Sequence, residues 1–208
     1  MDYLKNPQAI YQQSFATIEH EADLSRFNAS EREVVIRLIH ACGMVDIDDD
    51  LMFSKEAVES GRAALKSGAP IIADVEMVAR GIIVRNLKGK SKLLCGLNKS
   101  EAYEFAKNNK ITRSAAGIEI LRNEIDGAII AIGNAPTALF HLLEMIENGT
   151  QKPALILGFP VGFVGAVESK QALIDSKLDV PFITLRGRRG GSAFAAAATN
   201  AIIAGLKT

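Results

Sequence analysis

Short continuous apolar runs occur along the last two thirds of the chain and alternate with segments of helical spacing. The apolar runs are residues 70–73, 128–132, 154–157 and 181–185. The helical segments are residues 112–123, 136–148, 165–176 and 191–205. Apolar strands separated by helices indicate a parallel sheet that is covered on both faces. The pattern predicts an α/β fold over residues 1–208, a single three-layer domain with a mostly parallel sheet flanked by helices.

The first quarter of the chain has a helical pattern. Pro7 suits the first turn of a helix, because its missing N–H would have no intrahelical partner there. A second helix is predicted to begin with a capping box, in which Ser30 is the N-cap and Glu33 the third helical residue. Gly43 is placed to end that helix. Its apolar face consists of Val34, Val35, Leu38, Ile39 and Cys42.

Glycine-rich loops follow the last three predicted strands, at residues 133–136, 158–165 and 186–192. In parallel sheets, ligands bind at the carboxyl ends of the strands, so these loops are the expected site of function. Glycine lets backbone N–H groups approach a ligand closely, and a following helix N-terminus favours anions. The loops therefore predict a site for a large ligand with several negative charges.

The loop at residues 158–165 is unusually apolar for a connection that solvent should surround. Phe159, Val161 and Phe163 lie within it. An apolar loop of this kind is usually covered by a second subunit or by a broad apolar ligand face, and the residues alone favour neither.

The loop at residues 186–192 combines three arginines with three glycines before an alanine-rich helix. Guanidinium groups form paired hydrogen bonds with carboxylates and phosphates. A solvated basic turn is the alternative, but arginines that coincide with glycines at a helix start favour anion binding.

Composition excludes several classes of protein. The 208 residues include 24 Lys and Arg and 24 Asp and Glu, so bulk positive charge does not indicate nucleic-acid binding. No apolar run has the length of a membrane span, and the first residues do not resemble a signal peptide. Cys42 and Cys95 lack metal-type spacing and suit two reduced thiols in the cytoplasm. We therefore expect a cytoplasmic protein with no membrane or nucleic-acid partner.

His40 is the candidate for acid–base chemistry, because imidazole changes charge near neutral pH. It lies at the edge of the apolar face of the second helix, where a lone histidine more often has a packing role. His20 is expected to be solvated and His141 to be structural. The acidic residues 46–50 lack the glycine and the distant glutamate of a calcium loop, so a solvated turn is predicted.

An ordered set of motifs resembles the precorrin-8X methylmutase family, including its cobalt-precorrin-8 branch. Arg37-Leu-Ile-His-Ala-Cys-Gly43 with Asp46 resembles the catalytic-histidine segment of that family. Further blocks follow in family order at residues 73–82, 112–117, 133–139, 160–170 and 190–192. Each block is weak alone, but their order over nearly the whole chain is specific.

The resemblance implies an isomerase of corrin biosynthesis that moves a methyl group from ring carbon 11 to carbon 12. The expected product is hydrogenobyrinic acid or its cobalt counterpart, cobyrinic acid. Such a migration needs proton transfer and rigid placement of the ring. The resemblance implies no cofactor and no protein-bound metal, and it makes His40 the proton donor.

The resemblance also implies a homodimer with the corrinoid tetrapyrrole near the subunit interface. Arg113 is the expected second site residue, as a carboxylate clamp or a partner of a ring nitrogen. The other expected substrate contacts are Ser14, Gly162, Phe163, Arg188, Gly191 and Ser192. Two alternatives stay open: a non-catalytic tetrapyrrole carrier, which needs no acid at His40, and a phosphate-ester enzyme that uses residues 186–192.

Overall fold

The protein is described by a computed structural model that covers residue 1, residues 3–87 and residues 89–207; positions 2, 88 and 208 of the predicted domain lie outside the described residues. The helices are α1 (Pro7–Glu21), α2 (Ala29–Cys42), α3 (Ala57–Ser67), α4 (Glu76–Gly81), α5 (Ser100–Asn109), α6 (Arg113–Glu119), α7 (Pro136–Glu147), α8 (Ala166–Asp175) and α9 (Ser192–Ala204). The strands are β1 (Leu51–Phe53), β2 (Ile71–Ala73), β3 (Leu93–Cys95), β4 (Ile129–Ile132), β5 (Leu155–Gly158) and β6 (Phe182–Leu185). Short 3₁₀ helices lie at Val45–Asp50, Val84–Asn86, Arg122–Glu124 and Gly205–Lys207.

Within the described residues, six strands form one sheet in the order β1-β6-β5-β4-β2-β3. Strand β1 is antiparallel to β6, and the other neighbouring pairs are parallel. The four predicted apolar runs form β2, β4, β5 and β6, which confirms the mostly parallel sheet. The strands that the pattern did not predict, β1 and β3, are the two edges.

Side chains alternate between the two faces of the sheet. Along β4, Ile129 and Ala131 belong to one buried cluster, whereas Ile130 and Ile132 belong to the other. The first cluster includes residues of α1 to α4 and α9, and the second includes residues of α6 to α8. Helix α5 packs against α6 through a small alanine-rich cluster. The arrangement confirms the predicted three-layer α/β domain.

Helix α9 follows the arginine loop and is made mainly of small residues, from Phe194 to Ala201 nearly all buried. A side chain at Gly133 would place its Cβ 2.8 Å from the Cα of Ser192, so the end of β4 and the start of α9 are in direct contact. Although α9 is strongly apolar, none of the described helices combines the length and hydropathy that a membrane crossing requires.

Helix α2, which carries His40, begins two residues before its predicted start. Asn28 is the N-cap: its side chain accepts the N–H of Glu31 at 3.0 Å, and the Glu31 carboxylate accepts the N–H of Asn28 at 3.0 Å. The predicted box of Ser30 and Glu33 is therefore wrong. The predicted end is confirmed, since Gly43 takes a left-handed conformation with φ of 70°.

Candidate functional site

The three glycine-rich loops lie at one edge of the sheet, as predicted. The edge is formed by the carboxyl ends of the parallel strands, which the loops after β4, β5 and β6 continue. Because β1 is antiparallel, its beginning lies at this edge too, and the Arg186 N–H donates to the Asp50 carbonyl at 2.9 Å. The residues that precede β1 therefore adjoin the arginine loop.

The imidazole of His40 is held by one face of α1. Ser14 and Phe15 lie three and four residues after Tyr11, so all three side chains share that face. The Ser14 hydroxyl is 2.8 Å from His40 Nδ1. The Tyr11 ring lies 5.3 Å from the imidazole centroid with an interplanar angle of 32°, and the Phe15 ring approaches at 5.4 Å and 77°. The ring of His40 is thereby fixed in orientation although the residue is exposed.

This geometry leaves one nitrogen of His40 open. Ser14 occupies Nδ1, and no hydrogen-bond partner for Nε2 exists among residues 1, 3–87 and 89–207. A hydroxyl both donates and accepts, so Ser14 can pair with Nδ1 in the neutral and in the protonated imidazole. The structure thus brings the predicted residues Ser14 and His40 together in a form suited to proton transfer at Nε2.

Tyr11 and Phe15 were not predicted as site residues. Their i, i+4 spacing around Ser14 was visible in the sequence. However, the side chain that they contact, His40, lies 25 to 29 positions further along the chain. Only the packing of α1 on α2 shows that the aromatic rings contact a titratable side chain.

The arginine loop is joined to the segment that follows α2. Arg189 donates from Nη1 to the Asp46 carboxylate and from Nη2 to the Asp50 carboxylate, both at 2.7 Å. The prediction of a solvated acidic turn is therefore wrong in part: Asp46 and Asp49 are exposed, but the carboxylates of Asp46 and Asp50 anchor the loop. These ion pairs connect the loop with the end of α2, where His40 lies, and they engage the guanidinium of Arg189 within the protein.

The two later glycine loops contact each other and bring together several predicted substrate residues. The Gly162 N–H donates to the Arg188 carbonyl at 3.3 Å. The Arg188 guanidinium lies 5.4 Å from the centroid of the Phe163 ring, which is 86% exposed. Gly191 and Ser192 follow at the start of α9. Gly162, Phe163, Arg188, Gly191 and Ser192 therefore form one surface, which we call the double-loop surface.

Phe159 does not belong to that surface. Its side chain is fully buried and packs on Phe194 at a centroid distance of 6.1 Å. The prediction that a ligand or subunit covers it is wrong, because the protein's own core covers it. Val161 and Phe163 remain exposed.

The helix starts at this edge differ in their capacity for anions. At the start of α7, the buried carboxylate of Asp74 already accepts the N–H groups of Gly133, Asn134 and Ala135 at 2.9–3.0 Å. Burial raises the pKa of Asp74, and these three N–H donors oppose the rise. Helix α9 has no side-chain cap and no acidic residue in its first turn. The start of α9 is therefore better suited than that of α7 to a ligand carboxylate.

Arg113 is the first residue of α6 and lies apart from His40. Thr112 caps α6, and its hydroxyl is 2.8 Å from the hydroxyl of Thr137 near the start of α7. Arg113 is exposed, and its guanidinium has no ion-pair or hydrogen-bond partner in the part of the chain that the structure describes. The structure thus leaves Arg113 free for a ligand but shows no contact with the double-loop surface.

The remaining histidines and the cysteines lie outside this arrangement. His141 Nε2 is 2.7 Å from the Glu119 carboxylate, in agreement with a structural role, and His20 is exposed at the end of α1. Burial raises the pKa of the thiols of Cys42 and Cys95, which makes them poor nucleophiles. Among the described residues, no group of three or more His, Cys, Asp or Glu side chains could hold a metal ion.

Comparison with known proteins gives consistent matches over nearly the whole chain. A family model described as precorrin-8X methylmutase matches residues 9–205. A precorrin-8X methylmutase of Pseudomonas aeruginosa is 52% identical over 202 residues, covering 97% of each chain. A cobalt-precorrin-8 methylmutase of Priestia megaterium is 40% identical and covers 94% of this chain and 87% of its own. The crystal structure of a precorrin-8X methylmutase from Thermus thermophilus superimposes with a TM-score of 0.87 at 38% identity, covering 95% of each chain.

Proposed function

The chain belongs to the precorrin-8X methylmutase family of cobalamin-biosynthesis isomerases, and we propose that it moves a methyl group from C-11 to C-12 of precorrin-8X or cobalt-precorrin-8. The product is hydrogenobyrinic acid or cobyrinic acid. The main support for the proposal is the geometry at His40. Ser14 holds its Nδ1, while its Nε2 is open to a ligand.

His40 is the proton donor in this proposal. Protonation of the conjugated ring by Nε2 makes it a better electron acceptor as the methyl group migrates. Because substrate and product are isomers, the ring returns a proton to Nε2 as the product forms. Ser14 keeps the imidazole in position when its charge changes. Tyr11 and Phe15 restrict rotation of the ring, so the acid is presented in one orientation.

The carboxylates of the substrate bind at the double-loop surface and at Arg113. Arg188 and the start of α9, at Gly191 and Ser192, supply charged and backbone donors. Arg113 supplies an unpaired guanidinium at the neighbouring part of the edge. Arg189 takes no part in binding, because Asp46 and Asp50 engage it.

The protein acts as a homodimer in this proposal, with the corrinoid between the subunits. Support comes from the exposed apolar side chains of Val161, Phe163 and Val164, which are 43%, 86% and 89% accessible. A contiguous apolar surface of this kind is typical of an interaction site.

Residues 1–208 form one methylmutase-like domain in this proposal. The unpaired thiols of Cys42 and Cys95 suit the reducing cytoplasm.

The proposal is tested by adding precorrin-8X, and separately cobalt-precorrin-8, to the purified protein and following the visible spectrum. The methyl shift changes the conjugation of the ring, so turnover changes the colour. A carrier would bind the substrate without converting it, which product analysis by mass spectrometry and NMR would reveal. Inhibition by low concentrations of phosphate would instead favour the phosphate-ester alternative.

Replacing Ser14 is expected to slow catalysis without abolishing it. Ser14→Ala removes the partner of Nδ1, and loss of one hydrogen bond of roughly 0.5–1.5 kcal/mol corresponds to about a two- to twelvefold lower kcat. Thr17→Ala is the matched control, since Thr17 lies on the same helix and its hydroxyl donates to the Gln13 carbonyl within α1. Single-turnover kinetics measure the effect, and equal rates for both variants would contradict the role of Ser14.

A further inference from the structure

Lys170 is a buried lysine that the proposed chemistry does not use. It lies on α8 with 1% of its surface exposed. Its Nζ donates to the carbonyl of Arg189 at 2.6 Å, and no second hydrogen-bond acceptor for it exists within the described ranges. Lysine is almost never fully buried, because its long side chain normally carries the ammonium to water. The contact with Arg189 is therefore specific.

The residue that Lys170 contacts is fixed at both its backbone and its side chain. The Arg189 carbonyl accepts from Lys170, while the guanidinium donates to Asp46 and Asp50. Lys170 and Arg189 together carry two positive charges, and the two aspartates balance them. The cluster connects α8, the arginine loop and the segment after α2.

The next two residues leave the loop little freedom to shift. Gly190 has φ of 156°, and a Cβ at that position would lie 2.5 Å from the carbonyl oxygen of Phe159. The Gly191 N–H donates to the same oxygen at 2.8 Å. Arg188 directly precedes this fixed segment and Ser192 directly follows it. The position of the Arg189 carbonyl therefore sets where Arg188 and the start of α9 lie.

We propose that Lys170 is a positioning residue for substrate carboxylates: by holding the Arg189 carbonyl, it keeps Arg188 and the N-terminus of α9 in the places where they bind them. This inference rests on the proposed function. Lys170 contacts no ligand itself and acts only through the loop.

The charge state of Lys170 agrees with this role. Burial lowers its pKa from 10.5 to about 8, and the Asp50 carboxylate opposes the shift. At neutral pH the group is still mostly protonated, so the bond to the carbonyl is charge-assisted. A buried charge reduces stability unless it is well compensated, so an apolar replacement of similar length should not unfold the protein.

The test compares Lys170→Met with the wild type in corrinoid titrations and in turnover. Loss of a charge-assisted hydrogen bond that positions the loop is expected to raise Kd and KM about tenfold. We expect kcat to change little, because His40 and Ser14 are untouched. Lys177→Met is the matched control, since Lys177 is exposed just after α8.

A double-mutant cycle separates positioning from a general structural effect. If Lys170 acts through the arginine loop, Lys170→Met should weaken binding far less in an Arg188→Ala background than in the wild type. Trypsin should also cleave the loop faster at Arg188 and Arg189 in Lys170→Met, a measurement that needs no ligand. Equal weakening in both backgrounds, together with unchanged cleavage by trypsin, would overturn the inference.

The outcomes also distinguish this inference from the proposed function. A wild-type protein that binds no corrinoid would overturn both. A wild type that binds it, with Lys170→Met binding equally well, would overturn only the role of Lys170. A folded variant with a raised KM and an unchanged kcat supports it.

The pH dependence of the free energy of unfolding tests the burial of Lys170 without any ligand. The unfolded lysine keeps its proton to about pH 10.5 but the folded one only to about pH 8, so between these values the unfolded state binds more protons. The free energy of unfolding of the wild type should therefore rise across that window relative to Lys170→Met. Arg189, Asp46 and Asp50 are the charged groups at this cluster, and both proteins share them. Thermal melts of both proteins from pH 7 to pH 10.5 measure the difference, and a constant difference would contradict it.

Discussion

His40→Ala should lower the rate of methyl migration by about a hundred- to ten-thousandfold, the range that general acid catalysis contributes. The imidazole is exposed and its contacts in the described structure are the Ser14 hydroxyl and the rings of Tyr11 and Phe15, so its removal should leave the fold intact. Product affinity should be nearly unchanged, because the carboxylate donors lie elsewhere on the edge. Single-turnover absorbance and a corrinoid titration measure the two quantities.

The matched control for this variant is His20→Ala. His20 is exposed in the last turn of α1, on the helix that holds His40, and it has no role in the proposal. Normal turnover by His40→Ala would contradict the assignment of the acid. A variant that fails to fold, shown by circular dichroism, would instead support a packing role for this histidine.

The sequence predicted the centre of the sheet but not its edges. Strands β2, β4, β5 and β6 are continuous apolar runs because helices cover both faces of the sheet there. Strands β1 and β3 are apolar too, but each has only three residues, is partly buried and lies at an edge of the sheet, and the pattern did not separate them from the connecting segments. Helix α5 was missed because its sequence is mostly polar, with only Ala102 and Ala106 buried.

The start of α2 shows why local patterns were insufficient. Asn28 with Glu31 and Ser30 with Glu33 both match the spacing of a capping box. The structure selects the first pair, and Ser30 lies inside the helix with its hydroxyl bonded to the Asn28 side chain at 2.7 Å. The prediction of His40 did not depend on this choice, because the helix and its glycine end were correctly identified.

The parts of the site that could not be predicted all depend on contacts between distant residues. Asp46 and Asp50 lie 143 and 139 positions from Arg189, and no local pattern distinguishes anchored carboxylates from a solvated turn. Phe159 had the same local signal as Phe163, but one points into the core and the other into solvent. Motif order identified the elements of the site, and packing decided which side chains remain free.

Arg113→Ala and Arg188→Ala should each weaken corrinoid binding by roughly 1.5–3 kcal/mol, the range for hydrogen bonds to charged groups. This corresponds to about 10- to 150-fold in Kd. Arg113 should have the larger effect, because its guanidinium is unpaired within the described residues, whereas Arg188 also lies over the Phe163 ring. Titration by visible absorbance measures both variants.

An esterified form of the corrinoid shows whether the arginines recognise the charge of the ligand or only its shape. A fully esterified corrinoid offers no carboxylate, so the wild type should bind it much more weakly than the free acid, and the two variants should bind it as the wild type does. Raised salt should weaken binding of the acid in the wild type more than in the variants, since exposed charge pairs are screened. Arg85→Ala, an exposed arginine on the 3₁₀ helix Val84–Asn86, is the control. Unchanged affinity of both variants for the acid would exclude these arginines and leave the backbone N–H groups of the glycine loops as the carboxylate partners.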